Sequence, residues 1–180
     1  MHEQRGFSLI ELMTILGVAA VLFTIAGPAL QQFTNNSRRT GAVNNFIASI
    51  HIARNTAITT NSRVTMCASE AGATCELVAW NEGWIVFTDQ NSNQLVDAGE
   101  TIVGTSAGYD SLVIQSGQFP SFVMYRPTGR AMTVSVTGNS GEFTVCDSRG
   151  ADYARAVIMD LSGRPRVSDT SMIGAPLTCI

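Results

Sequence analysis

The sequence predicts an α+β fold: a long N-terminal helix, membrane-spanning in its first half, packed on a C-terminal antiparallel β-rich domain. Three observations predict it. A single apolar run reaches from Phe7 to Leu30. Behind it, apolar residues recur at spacings of three and four as far as Ala57. Past Arg63 the pattern changes to short alternating runs punctuated by Gly, Asn, Asp and Ser. At 180 residues the chain is sized for one domain and not comfortably for two.

Composition narrows the function classes. Hydrophobic residues make up 45% of the chain and charged residues 14%. The charged share is low against the roughly 25% of a soluble domain, so part of the chain is not ordinary soluble surface. The apolar content excludes a disordered chain. A net charge of −3 excludes a polycation that binds nucleic acid by bulk charge. All 11 basic residues are arginines, and the histidines are His2 and His51 alone, which argues against a His-rich metal site.

The apolar run, FSLIELMTILGVAAVLFTIAGPAL, carries one charge, Glu11, and follows the short polar stretch MHEQRG. As a helix it would extend about 36 Å, enough to span a hydrocarbon core of about 30 Å. A secretory signal is the first rival, but its apolar core would be about 7–15 residues long and end at a small-residue cleavage site. This run is longer, contains a carboxylate, and offers only Gly27-Pro28-Ala29 as a poor cleavage site. A carboxylate inside a spanning helix costs about 2.5–3.5 kcal/mol or more unless something pairs with it. A chain cut after Gly6 would place the free amino group of Phe7 one helical turn from Glu11. The amino terminus of a neighbouring chain would serve equally well, and either pairing points to assembly. A plain membrane anchor leaves Glu11 unexplained.

Gly6-Phe7-Ser8-Leu9-Ile10-Glu11-Leu12 resembles the type III leader of type IV pilins and type II secretion pseudopilins. Pro28 falls where helices of that family commonly carry a kinking proline. The resemblance implies a leader, residues 1–6, cut by a prepilin peptidase between Gly6 and Phe7, and N-methylation of Phe7. It implies that residues 7–30 form a membrane-spanning and later filament-core helix, in which Glu11 registers subunits.

Residues 31–62 continue as an amphipathic helix. Val43, Phe46, Ile47, Ile50, Ala53 and Ala57 form one apolar stripe expected to pack on a sheet, with Asn44, Asn45, Ser49 and Arg54 on the other side. His51 reads as a solvated helix residue. Thr59-Thr60-Asn61-Ser62 ends the helix. Residues 63–180 form the β-rich domain, with strands expected at 63–68, 76–80, 83–88, 100–104, 111–116, 122–126, 131–137, 141–146, 153–160 and 164–168. Trp80-Asn81-Glu82-Gly83-Trp84 reads as a tight hairpin.

Charge is uneven. Arg38, Arg39, Arg54 and Arg63 lie in a stretch without acids, Val64 to Tyr125 holds seven acids and no arginine, and six arginines with five acids follow from Arg126. A polyanion should therefore meet the C-terminal part or the 31–63 helix. The four cysteines permit three connectivities. Behind a membrane helix with a short cytoplasmic leader the domain would face an oxidising periplasm. We expect Cys67–Cys75, closing a small Gly/Ala loop, and Cys146–Cys179, tying the C-terminal tail to a strand. A zinc site lacks the C-x₂-C spacing.

Two motifs suggest chemistry and are set aside. Gly104-Thr105-Ser106-Ala107-Gly108 matches G-x-S-x-G, but no histidine follows His51, so a Gly-rich loop is the reading and no catalytic residue or enzyme activity is assigned. Asp89, Asn91, Asn93, Leu95, Asp97 and Glu100 occupy positions 1, 3, 5, 7, 9 and 12 of an EF-hand loop. Gln94 replaces the turn glycine and strands flank the loop, so a structural Asx-rich loop is preferred to calcium, and no metal or cofactor is assigned.

The runs Gly83–Asp89, Phe143–Gly150, Ala154–Ile158 and Ser162–Val167, with the Asp97/Glu100 loop, resemble the GspH/FimT branch of minor pilins and pseudopilins over nearly the whole chain. Within that branch, FimT-type minor pilins carry a C-terminal GRxR motif associated with DNA binding in natural transformation, and Gly163-Arg164-Pro165-Arg166 matches it. The physics agrees: two arginines two apart on a strand share a face, Pro165 suits an edge, and guanidinium forks suit phosphate. A plain hairpin turn with Arg164 paired to Asp160 is the competing reading. Pro127-Thr128-Gly129-Arg130 is a second Gly-Arg turn, which shows that such turns need not bind anything.

The resemblance thus implies an inner-membrane, single-pass protein with a periplasmic C-terminal domain, later part of a pilus or pseudopilus. Its partners would be other pilins or pseudopilins in a filament, a prepilin peptidase, the inner membrane and DNA bound without sequence specificity. The competing role is structural, that of a type II secretion minor pseudopilin H at the pseudopilus tip.

Overall fold

In the computed structural model, residues 8–132 and 139–179 are described. Contacts divide the chain into two units, Met1–Arg38 and Arg39–Ile180. One continuous helix, α1, runs from Leu9 to Thr59 with Pro28 inside it. In the first unit α1 has the length and composition of a membrane-crossing segment, and its most apolar window is wholly unburied. Leu9 and Phe23 are each 77% exposed, which water would penalise and lipid would not.

The second unit consists of the rest of α1 and two antiparallel sheets, as the alternating pattern predicts. The strands are β1 (Val64–Ala68), β2 (Gly83–Thr88), β3 (Ile102–Ala107), β4 (Leu112–Gln115), β5 (Phe122–Tyr125), β6 (Ala131–Met132), β7 (Gly141–Asp147), β8 (Arg155–Met159) and β9 (Pro165–Ser168). One sheet has the order β3-β2-β1-β5-β6 and the other β4-β7-β8-β9. The expected strand 131–137 is described only at Ala131–Met132; its remainder lies outside the described residues.

The stripe on α1 faces the sheets. Val43, Phe46, Ile50, Ala53 and Ala57 are buried and Ile47 packs at the margin of the same core. Phe46 is its centre, meeting Trp80, Trp84 and Phe143 edge-on at centroid distances of 5.6, 5.0 and 4.7 Å. The opposite side of the helix is not simply solvated. Ser49 is buried and accepts from Trp84 Nε1 at 2.8 Å, and Asn45 Nδ2 donates to Ser106 Oγ and Tyr109 OH. Arg54 Nε donates to the Gly129 carbonyl. The sheets wrap more of the helix than the apolar stripe alone indicates, and Asn45, Ser49 and Arg54 each find a partner among the groups that cover them. Asn44 and His51 are exposed.

Three local expectations are corrected. Residues 76–80 are not a strand; after the Cys67–Cys75 loop the chain passes through bends into a 3₁₀ turn at Trp80–Glu82. That turn, and not a hairpin, delivers Trp80 to the core, where its indole N–H donates to the Phe119 carbonyl. Gly104–Ala107 belongs to β3, and the G-x-S-x-G match is a strand; Ser106 Oγ accepts from Asn45.

Candidate nucleic-acid interface

The GRxR residues lie on the β8–β9 hairpin. Asp160 organises its turn: Oδ1 accepts from Ser162 N, Ser162 Oγ and Arg164 N at 2.9, 2.6 and 3.3 Å. These bonds, the Ser162 hydroxyl first, hold the Asp160 carboxyl below the usual range, with the charge of Arg164 adding to the effect. Arg164 thus meets Asp160 through its backbone; no Arg164–Asp160 side-chain ion pair lies among those formed by the described residues.

Gly163 is required twice over. Its φ is +73°, and a Cβ there would stand 2.4 Å from the Gly129 carbonyl oxygen and 3.0 Å from Tyr125 Cε1. The Gly163 carbonyl in turn accepts from Tyr125 OH at 2.8 Å. Burial, the larger effect, raises the Tyr125 pKa, so the phenol stays a donor. The hairpin is therefore keyed into the turn between β5 and β6.

Pro165 opens β9, a strand with one neighbour, where a missing N–H is tolerated. Arg166 is the register partner of Ile158, and Ile158 packs with Cys146, Ala156 and Leu177. Partners across a ladder share a face, so Arg166 belongs to the face that carries the C-terminal tail, while Arg164 precedes the strand in the β8–β9 turn. The tail is tied there by Cys146–Cys179, by Gln115 Nε2 donating to the Thr178 carbonyl, and by Met172 N donating to Glu142 Oε2. The other disulfide joins Cys67 and Cys75, and no cysteine is free.

Most other arginines are engaged. Arg149 pairs with Asp147 at 2.6 Å and lies over the Tyr153 ring at 4.2 Å. Arg39 is buried, pairs with Asp147 at 3.8 Å and donates to the Tyr153 carbonyl. Arg155 pairs with Asp169 at 3.0 Å, and Arg63 donates to Ser92 Oγ. Arg164 and Arg166 are exposed, and their side chains have no ion pair or hydrogen bond among the described residues.

The other candidates are placed as follows. Glu11 is exposed in the first turn of α1. Gly6 and Phe7 lie outside the described residues. In the 89–100 loop, Asp89 is buried and accepts from Thr65 Oγ1, Asn93 N and Gln94 N. Asp97 Oδ2 accepts from the Asn91 and Asn93 amides, and Glu100 from Gln90 N and Asp97 N. Gln94 takes φ +60° in place of a glycine, and these bonds tie the loop together from within.

Comparison with known proteins places the molecule. A family model described as type II transport protein GspH matches residues 42–163, and one for the prokaryotic N-terminal methylation motif matches residues 1–27. Over 105 residues the chain is 31% identical to the pilin-like protein PilA1 of Thermus thermophilus, covering 58% of this chain and 61% of that protein. Over 47 residues it is 40% identical to the prepilin peptidase-dependent protein D of Escherichia coli, covering 26% of this chain and 32% of that one. The chain thus spans less than two thirds of either relative. Two crystal forms of the type IV minor pilin FimU of Pseudomonas aeruginosa share the fold, with TM-scores of 0.57 and 0.60 at 16% and 17% identity. They cover 78% and 82% of this chain and 99% of FimU.

Proposed function

The chain belongs to the GspH family, and from that membership we propose that it is a minor pilin of a type IV pilus that binds DNA through Arg164 and Arg166 for uptake in natural transformation. A minor pilin or pseudopilin role follows from the family, from the pilin fold shared with FimU and from the N-terminal methylation motif. The apolar half of α1 anchors the chain in a membrane, with the sheets as the soluble part. In the proposed life cycle a prepilin peptidase removes residues 1–6, Phe7 is methylated, and the chain waits in the inner membrane with its C-terminal unit in the periplasm. It then enters a filament among other pilins, with Glu11 paired to a neighbour's amino terminus. In this cycle the chain is the substrate of the cleavage and the methylation and catalyses no step itself.

The observation that carries the DNA reading is that Arg164 and Arg166 are exposed without a side-chain ion pair or hydrogen bond among the described residues, one in the β8–β9 turn and one on the edge strand that follows, beside a buried glycine. Guanidinium groups without a carboxylate partner are available to phosphate oxygens, and the contact carries no base information. The family's own description, a type II transport protein, favours a second reading: a structural pseudopilin with no nucleic-acid role.

A gel-shift titration decides between them, with the full chain in nonionic detergent and mixed-sequence duplex DNA. Binding is expected in the micromolar range or weaker, insensitive to sequence and steeply salt-dependent. Arg164→Gln with Arg166→Gln should reduce the log–log salt slope by up to about two units. No binding by the unmutated chain at low salt would leave the structural pseudopilin.

A further inference from the structure

The sequence presents Gly129-Arg130 and Gly163-Arg164 as separate Gly-Arg turns, one in each sheet. The fold puts them back to back. Gly129 has φ +74°, and a Cβ there would stand 2.8 Å from Ile58 Cδ1 and 3.1 Å from Arg54 Nη2. On its other side the Gly129 carbonyl oxygen lies 2.4 Å, and Ala131 N 3.2 Å, from where a Gly163 Cβ would stand. Both glycines are buried in one seam, and the arginine that follows each is exposed. The peptide leaving Arg130 therefore lies directly beside the residue that precedes Arg164. Arg126 N donates to the Arg130 carbonyl at 3.0 Å, which closes the turn and sets Arg126 next to Arg130 across its neck.

The arginines of this seam form no ion pair among the described residues, although the charge of Arg164 is felt by Asp160. Among the described residues, Arg126 and Arg130, like Arg164 and Arg166, have no side-chain ion pair or hydrogen bond. Arg54 adds a fifth cation beneath the turn, fixed through Nε on the Gly129 carbonyl. Acids stand near as well: Asp160, whose Oδ1 is turned onto Ser162 and the Arg164 amide, and Glu142, in one cross-strand row with Ile158 and Arg166, whose Oε2 accepts from Met172 N.

We infer that the β5–β6 turn belongs to the same nucleic-acid surface: Arg126 and Arg130 bind duplex phosphates beside Arg164 and Arg166, an inference that rests on the DNA-binding reading above. Two arginines neutralise about two phosphates, which leaves a weak footprint, whereas four on a rigid two-turn seam double the counterions released. The seam is rigid because neither glycine can move away without breaking the Tyr125–Gly163 or Arg54–Gly129 hydrogen bond.

The test uses the full chain in nonionic detergent with fluorescently labelled duplex DNA, titrated across salt. Arg126→Gln with Arg130→Gln is expected to lower the slope by up to about two units and to weaken low-salt binding at least about tenfold, the same effect expected of Arg164→Gln with Arg166→Gln. Arg126→Lys with Arg130→Lys, which keeps the charges, should retain the slope. Arg155→Gln removes one charge at the far end of β8, about 13 Å from the turn, and should change affinity by less than about threefold. Binding by the Arg126/Arg130 glutamine variant that matches the unmutated chain, while the Arg164/Arg166 variant has lost it, overturns the inference and leaves the motif reading standing. A slope lost equally in the lysine variant assigns the effect to structure and overturns it too. An unmutated chain that fails to bind at low salt overturns the DNA reading and this inference together.

Discussion

Gly163→Ala tests the seam through stability before any DNA is added. The new Cβ meets two penalties. One is conformational: φ is +73°, and an L residue in the left-handed region costs about 1–2 kcal/mol. The other is steric. At 2.4 Å from the Gly129 carbonyl oxygen and 3.2 Å from Ala131 N, the Cβ abuts backbone, which yields less readily than a side-chain end, and overpacking of this kind costs about 1–3 kcal/mol. Together they predict a loss of about 2–5 kcal/mol and a melting temperature about 10 °C lower. Gly72→Ala separates the two parts. Gly72 has φ +71° with nothing within 4 Å of its would-be Cβ, so it meets the conformational penalty alone, about 1–2 kcal/mol. Thermal unfolding by circular dichroism, with disulfides intact and detergent constant, gives both numbers. If Gly163→Ala melts no lower than Gly72→Ala, the two turns are not in contact and do not form one surface.

The remaining predictions concern processing, the tail and a buried carboxylate. Intact-mass analysis of membrane-purified protein should show loss of residues 1–6 and one added methyl; a chain that keeps Met1 refutes the processing. Glu11→Ala should leave membrane insertion intact, because it removes a charge from lipid, yet reduce incorporation into filaments; normal incorporation refutes the assembly role. Cys179→Ser opens a loop of sequence separation 33 and should cost about 3–4 kcal/mol in the chain-entropy model, with weaker DNA binding because the tail shares the face of Arg166; unchanged unfolding would show the tail held by packing alone. Asp147, paired with Arg149 and the buried Arg39, has its carboxyl held below the usual range, chiefly by the Arg149 hydrogen bond. A depressed folded pKa stabilises above the unfolded value of about 3.9 and is lost as pH falls below it, so Asp147→Asn should cost about 3 kcal/mol at pH 7 and progressively less below pH 4. A cost that stays constant with pH would exclude the ion pair as its source.

What the sequence reveals here depends on how local the responsible physics is. The stripe from Val43 to Ala57 is local periodicity, and its residues line the core. Cys67 and Cys75 close a short loop, and their pairing follows from proximity. The misread segments have signals that point the wrong way. Residues 76–80 are apolar enough for a strand, but the Cys67–Cys75 link and the bond from Glu76 N to the Ala68 carbonyl fold the chain back before a ladder can form. Gly104 and Gly108 suggest a loop, yet Gly104 sits in β3 with the place of its Cβ 3.9 Å from Ile52 Cγ2 on α1, a close approach that glycine permits within a strand. Asn45 and Ser49 read as a solvated face because periodicity cannot report how far two sheets wrap a helix.

The seam between Gly129 and Gly163 shows why the candidate site was only half legible. Each turn announces itself locally by a glycine with positive φ and an arginine after it. Their meeting depends on long-range facts: that β5 pairs with β1 in one sheet, that β9 is the edge of the other, and that Tyr125 spans the gap to Gly163. None of these leaves a trace in the spacing of residues 126–130 or 160–166. From the sequence, Arg130 is the natural uninvolved control for Arg164; in the fold it is a neighbour, and only an arginine held elsewhere, such as Arg155 on Asp169, can serve as one. The distinction changes the expected binding. Two phosphate contacts give a log–log salt slope near −2 and four give one near −4, which between 50 and 200 mM salt is the difference between roughly a tenfold and a hundredfold loss of affinity. Such binding is weak for one subunit, so capture would rely on several subunits or on the reach of the filament. The slope measured on the unmutated chain therefore discriminates between a two-arginine motif and the two-turn seam before any substitution is made.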